Sequence, residues 1–212
     1  MHRMSLRVVQ KGRLRYTAGF LISILCACFD PFFPPTGTPD RAPSLRSTPD
    51  GVFTQLINSY ESQDLLLYEN LFPVAKTFRF YVAPNFVTSY NSGTRPYVNP
   101  PEVADTLLIY INAYPYYYYW TQDVEIQSHK NLFTKAASIN FTQKPSMQYR
   151  AILDAKGDTT NYEVLMTNGE IVIVTTSPAD EYTIEIEKQV FLLERDTDKL
   201  WVIRKWYDFG SR

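Results

Sequence analysis

The chain has 212 residues, of which 45% are hydrophobic, so it is long enough to bury one core and to carry additional segments. Its net charge is −1, but residues 1–27 hold five bases and no acid, which leaves 16 basic and 22 acidic residues in the remainder. That remainder lacks the clustered Lys and Arg that nucleic acids require, so we expect no nucleic-acid partner.

The apolar run of residues 16–27, YTAGFLISILCA, is too short for the roughly 20 residues that a transmembrane helix needs. Bases precede it and several prolines follow it, which is the layout of a secretory signal. Leu25, Ala27 and Cys28 resemble a bacterial lipobox, in which the cysteine becomes the lipidated N-terminus after cleavage. The sequence therefore predicts a lipoprotein signal peptide over residues 1–27 and lipidation of Cys28.

The alternative interpretation of this region is a metal or redox pair formed by Cys26 and Cys28. Such a site needs further ligands, and the sequence contains only these two cysteines and the two histidines His2 and His129. We therefore expect no metal site and no cofactor. The expected localisation is the cell envelope, with the protein lipid-anchored to a bacterial membrane and its domain in the periplasm or outside the cell.

Residues 28–47 are rich in proline, which disfavours helix and sheet and predicts an extended linker between the anchor and the domain. The folded domain is expected over residues 48–212. Thr48 and Asp64 are the predicted N-caps of two successive helices. Residues 77–82, TFRFYV, alternate apolar and polar side chains as a half-buried strand does.

Proline and glycine interrupt the chain after this strand, although residues 102–113, EVADTLLIYINA, are compatible with a short helix. Thr121 is the predicted cap of a longer helix over residues 123–138. Five strands are then predicted, with the sequences MQYRAILD, NYEVLM, EIVIVTT, YTIEIEKQVFLLER and LWVIRKWYDF. Asn168-Gly169 lies between the second and the third of these strands and predicts a hairpin turn.

Helices at the start and a run of antiparallel strands afterwards predict an α+β domain whose helices pack on one face of a curved antiparallel sheet. The sequence has no Gly-rich phosphate loop between alternating strands and helices, which argues against a doubly wound nucleotide-binding fold.

The stretch TPDGVFTQLINSYESQDLLLYENLF, with TFRFYV and the closing LWVIRKWYDF, resembles the nuclear transport factor 2-like superfamily, also called the SnoaL-like or ketosteroid-isomerase-like fold. The closing segment matches the Trp-x-Ile-x-x-Trp-x-Asp strand pattern of this superfamily through Trp201, Ile203, Trp206 and Asp208. The resemblance implies a cystatin-like roll, in which a cone-shaped sheet wraps round a helix and leaves a pocket at its wide end.

A second pattern, W-x-E-x-x-x-H-x-x-LF with one extra residue of spacing, resembles uncharacterised bacterial lipoproteins with this fold and is matched by Trp120, Glu125, His129, Leu132 and Phe133. In the isomerases of the superfamily, a helical tyrosine stabilises an oxyanion and an aspartate beyond the first strand is the base. The resemblance places these roles at about Leu56 and Phe80, neither of which can donate or accept a proton. The isomerase mechanism therefore does not carry over to this chain.

Three residues remain as candidates for acid/base chemistry, namely His129, Glu125 and Asp208. His129 lies four residues after Glu125 on the predicted helix, so the carboxylate can touch the imidazole and tune it as a base. The alternative is a histidine that is structural or solvated. The expected ligand pocket is lined by Tyr60, Tyr68, Phe78, Phe80, Trp120, His129 and Trp206.

Two aromatic features each have a structural interpretation beside a functional one. The run YPYYYYW at residues 114–120 is either an amphipathic binding surface or a segment that packs alternate rings on the domain. Trp201 and Trp206 are five residues apart and are expected on opposite faces of one regular strand.

Together these observations predict a membrane-anchored lipoprotein that binds a small molecule or an envelope protein in its pocket without catalysis. The first alternative is a small acid/base enzyme of isomerase or hydrolase type. The second alternative is a structural protein of envelope assembly that homodimerises through the outer face of the sheet.

Overall fold

The computed structural model describes residues 44–84, 100–111, 114–176 and 179–209. By its contacts the chain divides into residues 1–42 and residues 43–212, and every described residue belongs to the second unit. The predicted signal peptide, the lipidation site Cys28 and nearly all of the proline-rich linker lie outside the described residues. Within the described part, no helix is long and apolar enough to cross a membrane.

A short 3₁₀ turn and three α-helices are present in the described chain. The turn covers Leu45–Ser47, and the helices are α1 (Pro49–Glu61), α2 (Leu65–Glu69) and α3 (Gln122–Lys135). The Thr48 hydroxyl accepts a hydrogen bond from the Gly51 amide at 3.1 Å, and Asp64 accepts bonds from two amides of α2. Both predicted caps at the start of the domain are therefore confirmed.

Eight strands are found among the described residues. They are β1 (Arg79–Val82), β2 (Glu102–Val103), β3 (Tyr116–Thr121), β4 (Ala136–Gln143), β5 (Ser146–Leu153), β6 (Thr159–Thr175), β7 (Glu181–Arg195) and β8 (Trp201–Asp208). They form one sheet in the order β2-β3-β1-β8-β7-β6-β4, and β5 also pairs with β6.

The α+β class is confirmed, with a curved sheet and a few helices. The sheet is mixed and not wholly antiparallel, because β1 and β8 pair in parallel with Phe80 opposite Trp206. All other strand pairs are antiparallel in the described chain. The parallel pair arises because β8 returns to the centre of the sheet and lies between β1 and β7.

The hairpin predicted at Asn168-Gly169 is wrong, because β6 continues through this pair as one strand of 17 residues. The pairing with β7 keeps the same register on both sides, with Thr167 opposite Lys188 and Gly169 opposite Ile186. Asn168 has a left-handed backbone with φ of 57°, so the same conformation that suits a turn here bends a continuous strand.

The bend also shifts the alternation of apolar side chains along β6. Val164 and Met166 before the bend, and Ile171 and Ile173 after it, all belong to one core although their positions have opposite parity. One left-handed residue therefore lets both halves of the strand present apolar side chains to the same interior.

Trp201 and Trp206 lie in the same core, so the prediction that they occupy opposite faces is also wrong. A bulge in β8 explains the difference. Lys205 is opposite Leu192 and Ile203 is opposite Leu193, so Arg204 is an extra residue in β8. This extra residue places Trp206 on the same face of the sheet as Trp201.

Two further elements differ from the expectation. In the segment expected as a short helix over residues 102–113, the described residues 102–111 instead contain β2 and turns, and residues 112 and 113 lie outside the described residues. The third helix ends at Lys135, and β4 follows immediately where the helix was expected to continue to residue 138.

The tyrosine run forms β3, in which Tyr117 is buried while Tyr116 is 40% exposed, as packing of alternate rings requires.

The sheet has a core on each face. The larger core contains side chains from all three helices and the inner face of the sheet. The smaller core covers the outer face, which is the face turned away from the helices, and includes Leu108 and Ile111 from the segment after β2. Glu163 holds this segment, because its buried carboxylate accepts the Tyr110 amide at 2.7 Å and pairs with Arg150 at 2.5 Å.

Candidate functional site

A cavity of about 350 Å³ lies between helices α1 and α3 and the inner face of the sheet. Most of its wall is apolar and comes from both helices and the bent strands, including Leu56, Leu132, Met166, Ile171, Ile173 and Ile186. Ile184 and Glu185 of β7 line the cavity and are exposed, so they lie at its mouth. The bend in β6 places residues from both of its halves on this wall.

Glu125 is the centre of a buried polar cluster beside the cavity, and its residue is only 1% exposed. The Tyr68 hydroxyl donates to Glu125 Oε1 at 2.7 Å, and the Trp120 indole Nε1 donates to Oε2 at 2.5 Å. Both oxygens of the carboxyl group therefore accept hydrogen bonds, which is the arrangement that stabilises a buried carboxylate.

His129 connects this carboxylate to Tyr60. Its Nδ1 lies 3.1 Å from the Glu125 carbonyl oxygen and 3.2 Å from Glu125 Oε1, and both of these atoms are acceptors. The surrounding acceptors therefore assign an imidazole hydrogen to Nδ1, and Nε2 lies 2.5 Å from the Tyr60 hydroxyl, from which it accepts when the ring is neutral. The result is a continuous chain from Tyr60 through His129 to Glu125.

Tyr68 fixes the other side of the imidazole. Its ring stacks on His129 with the ring centres 4.1 Å apart. Burial, and then the charge of Glu125, raise the pKa of the Tyr68 phenol well above its usual value. Tyr68 therefore stays protonated and donates to Glu125 throughout the neutral pH range.

The sheet supplies an aromatic wall with one unpaired donor. Phe80 stacks on Trp120 with ring centres 4.2 Å apart, and Trp206 lies 5.2 Å from Phe80. The Trp206 indole Nε1 is buried and has no hydrogen-bond partner in the described structure. Asp208 follows on the same strand, lines the cavity and is 9% exposed.

Of the seven residues expected to line the pocket, five line the cavity, and these are Tyr60, Phe80, Trp120, His129 and Trp206. Tyr68 and Phe78 do not. Tyr68 is fully buried against Glu125 and His129, and Phe78 packs on Phe72 with ring centres 4.4 Å apart. These two side chains support the wall without forming it.

The three acid/base candidates all line the cavity. Glu125 and His129 are in direct contact, and Asp208 lies at the end of β8. The residues at the positions of the isomerase groups, Leu56 and Phe80, contribute apolar wall.

The sequence did not point to Ser128, Glu185 and Gln189, which complete the polar part of the lining. Glu185 and Gln189 lie on β7, in which Ile186 and Phe191 both face the core although their positions have opposite parity. A signal was present in this parity change, since a regular strand cannot bury both positions on one face.

No group of three or more His, Cys, Asp or Glu side chains suited to hold a metal ion is found among the residues that the structure describes. The polar cluster at Glu125 is instead built from one carboxylate and neutral donors.

No protein-family model matches the sequence, and no curated protein matches it. Similar solved structures include a nuclear transport factor 2-like superfamily protein from Salmonella enterica, with 8% identity, 79% of this chain and 92% of that chain covered, and a TM-score of 0.47. A ketosteroid isomerase-like protein from Erwinia carotovora has 7% identity, coverage of 82% and 98%, and a TM-score of 0.45. A conserved protein from Planctomyces limnophilus has 8% identity, coverage of 76% and 91%, and a TM-score of 0.47. These likenesses concern the fold alone.

Proposed function

We propose that the domain binds a small, largely apolar molecule in the cavity between the helices and the sheet. The observation that carries this proposal is a cavity of about 350 Å³ with an apolar wall and a few convergent polar groups. Sites for small molecules in proteins have this size and this composition.

The unpaired donor in the wall supports the same function. An indole N–H that is buried without a partner destabilises a protein by about 1–3 kcal/mol. Trp206 carries such a group, and its side chain lines the cavity. An acceptor oxygen on a bound molecule would satisfy this donor, so binding would recover part of that free energy.

Fluorescence gives a direct test of binding. Two of the three tryptophans in the chain, Trp120 and Trp206, line the cavity, so energy transfer to the neutral probe N-phenyl-1-naphthylamine reports occupancy. The substitution Ile171→Phe adds volume to the wall and should abolish binding. The matched control Leu153→Phe changes a side chain on β5 that is 56% exposed and outside the lining, and should leave binding unchanged. Saturable binding that survives Ile171→Phe in a folded protein would contradict the proposal.

The second candidate function is acid/base catalysis on the bound molecule, and the hydrogen-bonded chain from Tyr60 to Glu125 favours it. Tyr60 would take a proton from the ligand while it passes its own proton to His129 Nε2, and Glu125 would stabilise the resulting imidazolium. Nitrogen NMR of the imidazole tests the arrangement. A neutral His129 with its hydrogen on Nδ1 is expected, and a hydrogen on Nε2 at neutral pH would rule this chain out.

We also propose that the domain is held at a bacterial membrane by a lipid on Cys28, with the proline-rich segment as its linker. The support is the sequence pattern around Leu25 and Cys28. Cys28→Ser should abolish incorporation of labelled palmitate and leave the precursor uncleaved, whereas Cys26→Ser should change neither property. Normal cleavage and palmitate labelling of Cys28→Ser would remove the basis for the anchor.

An envelope protein in place of a small molecule, and a structural role through homodimers, remain alternatives for the domain. The segment from β2 to Ile111 packs on the outer face of the sheet and occupies part of the surface that such a dimer would use. Sedimentation of the purified protein tests the structural role, because a protein that acts through homodimers sediments as a dimer at micromolar concentration and a monomer would contradict this role.

A further inference from the structure

We propose that the cavity selects an organic cation, a protonated or quaternary amine with an apolar body that also carries an acceptor oxygen. This inference rests on the proposed binding function and assigns the chemical class of the ligand. It follows from the charges and the aromatic side chains that line the cavity, and from the unpaired donor that one of these side chains carries.

The charged side chains of the lining are all acidic. Glu125, Glu185 and Asp208 line the cavity, and no Lys or Arg occurs among the described residues that do so. His129 also lines the cavity, and its Nδ1 lies 3.2 Å from Glu125 Oε1, so any positive charge on the imidazole is paired with that carboxylate. The potential inside the cavity is therefore negative, which favours a cation and disfavours an anion.

Three bases on the neighbouring strands, Lys205, Lys188 and Arg79, face away from the cavity. Lys205 pairs with Asp105 at 2.6 Å on the outer face of the sheet. Lys188 lies over the Phe209 ring at 4.4 Å, and Phe209 packs against the outer core. Arg79 lies 5.0 Å from the centre of the Tyr119 ring, which packs against the same core. The alternation of the strands thus separates the bases from the acids of the cavity.

Asp208 is the acid best placed to favour a cationic ligand over a neutral one. It lines the cavity, is 9% exposed and lies opposite Gln189 on β7. A carboxylate with so little water around it interacts more strongly with a nearby charge than an exposed carboxylate does. Glu185 is exposed at the mouth and adds the same sign of charge along the entry path.

Aromatic side chains supply the second attraction for a cation. Tyr60, Phe80, Trp120, Phe141 and Trp206 line the cavity together with the acids. Aromatic side chains attract ammonium groups through the negative faces of their rings, and aromatic cages for quaternary ammonium ions use this interaction. The indole N–H of Trp206 requires an acceptor, which an oxygen on the same ligand supplies.

A pair of isosteric probes tests the assignment. 3-Hydroxyphenyltrimethylammonium and 3-tert-butylphenol have the same shape and the same hydroxyl, and differ in a positive nitrogen in place of a carbon. Binding of each to the purified protein is measured by tryptophan fluorescence and calorimetry. We expect the cation to bind at least tenfold more tightly than the neutral phenol.

Two substitutions locate the source of the preference. Asp208→Asn should weaken binding of the cation about tenfold and change binding of the neutral phenol less than twofold. Glu185→Gln at the exposed mouth should have a smaller effect of the same sign, and it is available if Asp208→Asn fails to fold. Asp180→Asn, which changes an exposed acid outside the lining, is the matched control.

The outcomes separate the two proposals. Equal binding of the two probes, or tighter binding of the neutral phenol, overturns the assignment of a cation and leaves the binding function intact. Equal losses for both probes in Asp208→Asn and Glu185→Gln also overturn it. If neither these probes nor N-phenyl-1-naphthylamine binds, the binding function itself fails.

Discussion

Replacing Glu125 by Gln tests whether the buried carboxylate is stabilised by the donors around it. Tyr68, Trp120 and His129 direct hydrogens at this group, at 2.7, 2.5 and 3.2 Å. The amide keeps one acceptor oxygen, which the indole requires because it only donates. Its NH₂ group then faces the Tyr68 hydroxyl, which must turn and lose its acceptor.

Two opposing free energies decide the result. Each hydrogen bond to a charged group contributes about 1.5–3 kcal/mol, so losing the charge and one acceptor removes about 3–6 kcal/mol. Removing the carboxylate also relieves its desolvation, which costs several kcal/mol in folded proteins. Since both carboxylate oxygens accept bonds, we expect the first effect to win and the free energy of unfolding to fall by about 2–4 kcal/mol.

Urea denaturation of Glu125→Gln, followed by circular dichroism, measures this loss. A fall of this size corresponds to a decrease in Tm of roughly 4–16 °C for a domain of this length. Asp123→Asn is the matched control on the same helix, because its ion pair with Lys76 is exposed and is worth at most about 1 kcal/mol. A Glu125→Gln variant as stable as the parent would refute the reasoning, since desolvation would then outweigh the bonds.

Three further predictions concern other parts of the domain. Burial raises the pKa of Tyr68 and of Tyr207, so the folded protein keeps protons that the unfolded chain releases from about pH 10.0 upward. The contribution of these two tyrosines to stability is therefore complete below about pH 10 and is lost above it. Tyrosinate absorbance should appear together with unfolding, and release of these protons from folded protein would contradict this. Asn168→Val should lower the free energy of unfolding by about 1–3 kcal/mol, because a β-branched residue is strained at this φ, whereas Asn168→Gly should stay within about 0.5 kcal/mol in the same urea experiment. Glu163→Gln should release the segment at residues 100–111 and speed its cleavage by a protease, and unchanged cleavage would show that apolar packing alone holds it.

The parts of the fold that depend on local signals were predictable from the sequence. Thr48 and Asp64 cap helices through their own side chains, so the pattern of neighbouring residues is sufficient to place them. The strands β5, β7 and β8 were found in the same way, since their alternating or apolar runs are long. The curved α+β arrangement followed from the order of these elements.

The positions at which a strand shifts its alternation of inward and outward side chains were not predictable from local patterns. Asn168 in a left-handed conformation serves a turn and a bend equally well, and only the pairing of β6 with β7 decides between them. The bulge at Arg204 is likewise set by the partner strand. Both features depend on contacts between strands, which the sequence of one strand does not contain.

The candidate site was predictable in its residues more than in its geometry. Glu125 and His129 are neighbours on one helix, so their contact follows from their spacing. Tyr60, Tyr68 and Trp120 reach this pair from three other elements, and tertiary packing decides which of them donates and which lines the cavity.

The parallel pairing of β1 with β8 determines when the cavity can exist. Residues 79–82 pair with residues 205–208, so the centre of the sheet forms only after residue 208 has left the ribosome. The wall residues Phe80 and Trp206 are separated by most of the domain, and such long-range pairing slows folding. A chain in which β8 has not yet paired therefore lacks the Trp206 part of the wall, so binding requires the last strand of the domain.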